Sequence, residues 1–478
     1  MESPPKNATT RTIALGFVLC FFWTLVWFFT LRWANLEEKL WVTILFSICV
    51  FPSLAYVGGH KFRVPLMPMW GIGYFAMFGM PVITMDRAQS ISLYNQTQNA
   101  VADALRLAVL GGIACLAAAY TALGAWAEHM APRWRLPWDP RRAGRMGVVL
   151  ISTGLGAYYY KLVSQPPAGF RQFLFIVSQL STIGMLTLFL LQLRNCLSAR
   201  FKLFLWGFAV PIQFLLALGT GAIWEIVRSL SPLLFCFAAE RRRIPWVALL
   251  AFSLLLIPFL GTKHEYRSYT WGNEELAEIY FSDNALQKGL AFIKLTFLRL
   301  KEGGVETYTV AAETAESRVN HLELLILLRE MTPSFVPFWN GETYASLPWM
   351  FVPRLLYPAK PSKNIGNEFG HRYYILDQDD DTTSINLPHQ VVEMYINFGV
   401  FGIFIGMGFV GLIYRAALVF LSRPESGERG MIIGCALLTN LLSLDGDFSL
   451  VFGGLIYYVL LMIFFTRFFQ PRLNTVPT

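Results

Sequence analysis

Apolar residues fall in long runs along this chain, not in the two-residue alternation of a half-buried strand. A hydrocarbon core needs roughly 20 apolar residues to be crossed as a helix. By that measure the runs predict spans at 12–31, 40–57, 64–83, 101–126, 147–163, 172–193, 203–219, 222–239, 244–260, 392–414, 430–445 and 448–468. The segments at 203–219, 222–239 and 430–445 are short for the task. Gly219-Thr220-Gly221 separates the first two, as a turn between spans or as the break in a re-entrant helix. The first run is long and lacks a small-residue cleavage site, so it is expected to remain as a span and not to act as a cleavable signal peptide.

One stretch breaks the pattern. Residues 261–391 form a segment far longer than an ordinary connection, and long ordered loops are usually functional. Within it, 273–301 and 318–331 carry apolar residues at helical spacing, which predicts a small cap of helices. The stretch 336–361 is rich in Pro, Trp, Phe and Tyr, a composition suited to the membrane–water interface. The expected organisation is an all-α polytopic integral membrane protein of about 12 transmembrane helices. A first bundle of about nine spans (1–260), a large external loop (261–391) and a bundle of about three spans (392–478) divide the chain.

Composition agrees with this reading. Hydrophobic residues make up 55% of the 478, and charged residues only 15%. Soluble domains carry about 25% charged residues, so too little polar surface exists here to clothe a water-soluble core. The net charge of +8 does not cluster on a soluble domain, which argues against nucleic acid as a partner. Basic residues instead set the orientation. With the N-terminus inside, twenty Lys and Arg fall in cytoplasmic segments, while the short outer loops hold only Arg32, Lys39, Arg87, Lys161 and Arg171. Both termini are therefore expected in the cytoplasm. None of the six cysteines lies in the long polar segment, so no disulfide framework is expected there.

The sequence holds no Walker, dinucleotide-glycine, HExxH or GxSxG motif. ATP-driven transport by this chain alone, nicotinamide or flavin redox chemistry and zinc proteolysis lose their usual markers. Asp377, Asp379 and Asp381 have the spacing of a calcium loop, but Thr382 replaces its turn glycine and Pro388 its last glutamate. Neither a metal nor a cofactor is expected.

Several ionisable residues stand where a structural span does not want them. Asp103 and Arg106 lie three apart near the outer end of the fourth span, and Glu225 and Arg228 repeat the spacing at the eighth. Residues three apart share a helix face, so each couple can be a local ion pair. The other reading uses their common side. Together with Lys161 and Arg171, these arginines lie at expected outer ends, where basic groups are the exception. Arg can hold a diphosphate by bidentate hydrogen bonds and Lys as a point charge.

The densest block runs from Trp339-Asn-Gly341-Glu-Thr-Tyr344, through Phe351-Val-Pro353-Arg354 and Tyr357-Pro-Ala-Lys360-Pro361. It ends at His389-Gln-Val-Val-Glu393-Met-Tyr395-Ile-Asn397-Phe398-Gly399-Val-Phe-Gly402. On one helix His389 and Glu393 share a face and can cooperate, and the glycines permit close helix packing. The alternative makes Glu393 and Asn397 an interfacial cap and the glycines plain packing residues. Arg354 and Lys360, with Lys363 and Arg372 beyond, can equally snorkel towards lipid headgroups.

This order of motifs resembles the Wzy-type O-antigen and oligosaccharide repeat-unit polymerases. There a Pro-Arg…Lys-Pro segment precedes Glu-x-Tyr-x-Asn-Phe-Gly-x-x-Gly at the start of a late span. His389-Gln390, with eight residues before Gly399-x-x-Gly402, is one residue short of the related O-antigen ligase pattern. The resemblance implies a metal-independent glycosyltransferase of the bacterial plasma membrane, with undecaprenyl-diphosphate-linked glycans as donor and acceptor. It also implies a chain-length regulator and a flippase as pathway partners. On this reading Glu393 or His389 takes the acceptor's proton, and Arg354, Arg228 and Arg106 stabilise the leaving diphosphate. Lys161, Arg171, Lys360, Tyr395 and Asn397 then contact substrate. A ligase, or a flippase for the same lipid, is the alternative.

Overall fold

The computed structural model describes residues 8–29, 31, 34–58, 62–84, 99–122, 129, 139–164, 166–271, 284–304, 308–312, 314, 320–350, 352, 357, 365–379, 385, 387, 389–443 and 446–466. Among these residues every regular element is a helix. The N-terminal helices are α1 (Ala8–Phe29), α2 (Leu36–Val57), α3 (Leu66–Phe78), α4 (Met80–Thr84) and α5 (Ala100–Thr121). They are followed by α6 (Pro140–Val163), α7 (Ala168–Leu193), α8 (Ala199–Gly219), α9 (Ile223–Arg241) and α10 (Trp246–Trp271). The middle of the chain supplies α11 (Ala285–Gly303), α12 (His321–Met331), α13 (Leu347–Met350) and α14 (Ile365–Arg372). The last four are α15 (Gln390–Leu421), α16 (Gly427–Leu441), α17 (Phe448–Phe452) and α18 (Leu455–Thr466).

Each of the twelve apolar runs holds helix within its described residues. By length and composition eight helices are able to cross a membrane: α2, α5, α6, α7, α8, α10, α15 and the α17–α18 stretch. The other four runs lack length or carry charge. The apolar part of α1 is Thr12–Trp27, and α3 stops at Phe78. The α16 helix has 15 residues. In α9, Glu225, Arg228, Glu240 and Arg241 dilute the apolar surface. A membrane-embedded helical protein is the level at which sequence and structure agree.

The start of α2 shows how local sequence sets a boundary. Asn35 accepts from the Glu38 N–H while the Glu38 carboxylate accepts from the Asn35 N–H, each at 2.8 Å. This reciprocal cap satisfies two donors that the helix itself leaves unpaired.

Packing centres on α5, which lies against α2, α12 and α15, and on the close pair α6–α7. In that pair Gly154 faces Ser181 and Gly184 faces Gly147 so closely that a Cβ would collide with backbone at 2.2 and 2.5 Å. Without a water-driven hydrophobic effect between helices in lipid, such close approach supplies the dispersion that holds them.

Two features revise the organisation expected between 261 and 391. Helix α10 does not end near 260 but runs to Trp271. Helix α11 then packs back against α8 and α10, with Ala285 beside Gly219 and Gly289 beside Leu215. The contacts retreat along α8 as they advance along α11, so the two are antiparallel. Stacked Tyr266 and Phe292, with ring centroids 4.2 Å apart, anchor this second small core. Gly219-Thr220-Gly221 is a tight turn into α9, with Gly221 at φ +66°. Of the expected cap segment 318–331, residues 321–331 form α12, whereas 273–283 of the other lie outside the described residues.

Candidate functional site

Two places gather the ionisable residues singled out by the sequence. The first is a cavity of about 420 Å³ between α7, α9, α16, α17 and α18, at the ends of α7 and α9 that are expected to face out. Its wall includes Gln172, Trp224, Glu225, Arg228, Asn440, Ser443, Tyr457 and Tyr458. Arg228 is buried and pairs with Glu225 one turn earlier on α9, the ion pair that their spacing predicts. The Arg228 guanidinium lies 4.4 Å from the Phe175 ring centroid, and the Lys161 ammonium lies 5.0 Å from the same ring. Arg171, at the start of α7, is close enough for its charge to act on Lys161.

Of these cations Arg228 lines the cavity beside Glu225, Lys161 stands behind the wall at the Phe175 ring that Arg228 also faces, and Arg171 lies near Lys161. Among the described residues neither Lys161 nor Arg171 has an ion-pair partner. A volume of this size is within the range of roughly 300–1,000 Å³ typical of small-ligand sites. An excess of positive charge beside partly buried walls is the electrostatic condition for holding an anion. The opposite ends of α7 and α9 show the balanced alternative. There Arg194 donates to Glu240 at 2.9 and 3.1 Å and to Glu428 at 2.7 Å, so one guanidinium meets two carboxylates.

The second place is the first part of α15, where the polar residues are sealed. His389, Gln390, Glu393 and Asn397 are all fully buried. His389 caps the helix: its Nδ1 accepts from the Val391 N–H at 2.9 Å, with the backbone at φ +49°. A non-glycine residue held there stores strain of about 1–3 kcal/mol. Because Nδ1 accepts, a neutral ring carries its proton on Nε2. Burial, and secondarily the neighbouring His321, holds the imidazole pKa well below its usual value. The Phe78 and His321 rings stand edge-on to it, with centroids 4.8 and 5.5 Å away.

Glu393 accepts from the Phe448 N–H at 2.6 Å and so holds the first turn of α17. Asn397 ties the loop before α13 to α15. Its carbonyl accepts from Gly341 N–H at 2.8 Å, and its amide donates to Thr343 Oγ1 at 2.9 Å and to the Glu393 carbonyl at 2.7 Å. Directly after Asn397 the helix breaks at Phe398 and Gly399, the latter at φ +63° and ψ −147°. Only glycine accepts that backbone readily. The break brings the Met394 carbonyl so close to Gly402 that a Cβ there would lie 2.3 Å from it. The Asn-Phe-Gly-x-x-Gly run is thus the chemistry of a kinked helix with a loop docked into the kink.

The remaining residues are dispersed. Arg106 pairs with Asp103 at 2.8 Å, as the spacing predicts, but also with Glu37 of α2, and Asp103 in turn meets Arg329 of α12 at 2.6 Å. This exposed network fastens the middle segment to α2 and α5; Arg106 does not line the basic cavity. Tyr395 donates to the Thr332 carbonyl at 3.3 Å. Arg372 lies 4.0 Å from the Trp339 ring centroid and pairs with Glu342 and Glu368. Arg354, Lys360 and Lys363 lie outside the described residues.

Sequence reasoning missed the far wall of the cavity. Asn440, Ser443, Tyr457 and Tyr458 are distant in the chain from Arg228, and nothing local marks them. Asp447 was also missed. It accepts from Leu450 N–H at 2.9 Å and from Ser449 Oγ at 2.7 Å, which starts α17. The polar step between the runs ending at 445 and starting at 448 was its visible signal.

The chain belongs to a family described only as a domain of unknown function, DUF8712, whose sequence profile matches residues 67–472. No curated protein and no solved structure matches it.

Proposed function

We propose that this member of the family is a membrane glycosyltransferase acting on undecaprenyl-diphosphate-linked oligosaccharides. It joins repeat units into a surface polysaccharide on the outer face of the plasma membrane. One observation carries the reading: the buried Arg228 lines one cavity with Glu225, and Lys161, from a neighbouring helix, stands at the same Phe175 ring with the charge of Arg171 close by. A diphosphate there is held by charge-assisted hydrogen bonds, and its growing negative charge in the transition state meets preorganised cations. Once that charge is stabilised, the lipid diphosphate is a competent leaving group. The aromatic and amide groups of Trp224, Tyr457 and Asn440 offer a sugar both a stacking face and hydrogen-bond partners.

The test is deletion of the gene in its own host, with lipid-linked and surface glycans separated by size. Loss of long chains, with single repeat units still reaching their final carrier, is the expected result. Long lipid-linked chains left unattached would assign a ligase instead. Repeat units trapped on the cytoplasmic face would assign a flippase and end the polymerase reading.

A further inference from the structure

A transfer to an acceptor hydroxyl needs a base within reach of the reacting carbon. His389 and Glu393 are enclosed, His389 capping α15 through Nδ1 and Glu393 holding the first turn of α17. Neither lines the basic cavity, and Asp447 is spent on the first turn of α17. Among the described residues Glu225 is the one carboxylate on the cavity wall. Its side chain is 21% exposed, against 9% for Arg228, so it reaches the open volume more than its partner does.

Resting on the function proposed above, we infer that Glu225 is the catalytic base. As a carboxylate on the cavity wall, Glu225 is the kind of group that can take a proton from a hydroxyl placed in the open volume. In the step, Glu225 takes the proton of the acceptor hydroxyl, whose oxygen forms a bond to the anomeric carbon of the donor glycan. The anomeric carbon–oxygen bond to the diphosphate breaks, and its electron pair leaves on the diphosphate oxygen beside Arg228. The carboxylic acid then returns its proton to water. Nothing is oxidised or reduced. The anion site and the base thereby share one ion pair, Glu225 for the attacking oxygen and Arg228 for the departing one.

The experiment compares wild type, Glu225→Gln and Glu225→Asp in two measurements. One is the size distribution of surface glycan in the host. The other is the thermal shift that inorganic pyrophosphate produces in the purified full-length protein. General-base removal costs about 10²–10⁴-fold in rate. The expected result for Glu225→Gln is therefore loss of long chains with the pyrophosphate shift retained. Long chains at wild-type abundance in Glu225→Gln would overturn the assignment. So would loss of the pyrophosphate shift together with the chains, since Glu225 would then only orient Arg228. If Glu225→Gln fails to reach the membrane, Glu225→Asp decides: shortened chains with an unchanged shift support the base, and unaltered chains refute it. Failure of the functional reading looks different, because then the gene deletion leaves the glycan unchanged and wild-type protein shows no pyrophosphate shift.

Discussion

The basic cavity and the buried polar cluster on α15 adjoin the same five-residue helix, α17, and treat charge in opposite ways. At one end of α17 the Phe448 N–H meets Glu393, and every placed hydrogen bond of Asn397 is internal. Further along, Leu450 and Val451 form part of the cavity wall that Arg228 and Glu225 also line, with Lys161 close behind at the Phe175 ring. Buried polar groups that satisfy one another specify a shape. Groups whose charge is left in surplus beside a cavity are available to a ligand. The motif that looks most like an active site in the sequence sets shape through Glu393, Asn397 and Gly399, and also buries His389 Nε2 and the Gln390 amide with no hydrogen-bond partner among the described residues. A helix pair that looks like an ordinary ion pair borders the open volume.

Variants in the two regions therefore part company. The largest effect is expected at the kink: Gly399→Val forces a β-branched residue to φ +63° beside Phe338, and Asn397→Leu strands the Gly341 N–H. Unpaired buried donors cost about 1–3 kcal/mol each. Both variants should show lower thermal stability in detergent and reduced membrane levels, and stable variants with lost anion binding would reverse the comparison. Next is Arg228→Gln, which removes charge-assisted bonds worth about 1.5–3 kcal/mol. Pyrophosphate should then bind roughly 10- to 100-fold more weakly by titration, with melting changed far less than at Asn397.

A smaller change is expected for Lys161→Met, about fivefold weaker binding in the same titration, because a point charge lacks the two-pronged geometry of Arg. Equal losses at Lys161 and Arg228 would mean that net charge alone, and not the placed guanidinium, holds the anion. The smallest effect belongs to Arg106→Ala. Its exposed pairs are worth about 0–1 kcal/mol, so stability, pyrophosphate binding and glycan length should all stay near wild type. A loss of long chains there, at normal membrane levels, would move the site to the α2–α5–α12 network.

All twelve apolar runs were legible as helices, and so were the ion pairs Asp103–Arg106 and Glu225–Arg228, because helical periodicity makes residues three apart neighbours. The extension of α10 to Trp271 was less legible. Polar Thr262, Lys263 and His264 read as the start of a loop, yet the helix continues because α11 covers it, pairing Thr296 with Thr262 at 2.9 Å. The site was legible only in halves. Lys161, Arg171 and Arg228 stood out as basic residues on the expected outer side, but the joint facing of Phe175 by Lys161 and Arg228 depends on how α6, α7 and α9 rotate against one another.

By itself the sequence determined helix positions, membrane embedding and local pairs, since these follow from runs and spacings within a few turns of one chain segment. The tertiary structure alone decided that Glu393 and Asn397 seal a kink while Glu225 and Arg228 border a cavity. Whether a buried charge is satisfied or left in excess depends on partners such as Phe448, Thr343 and Phe175, which come from other helices and other stretches of the chain.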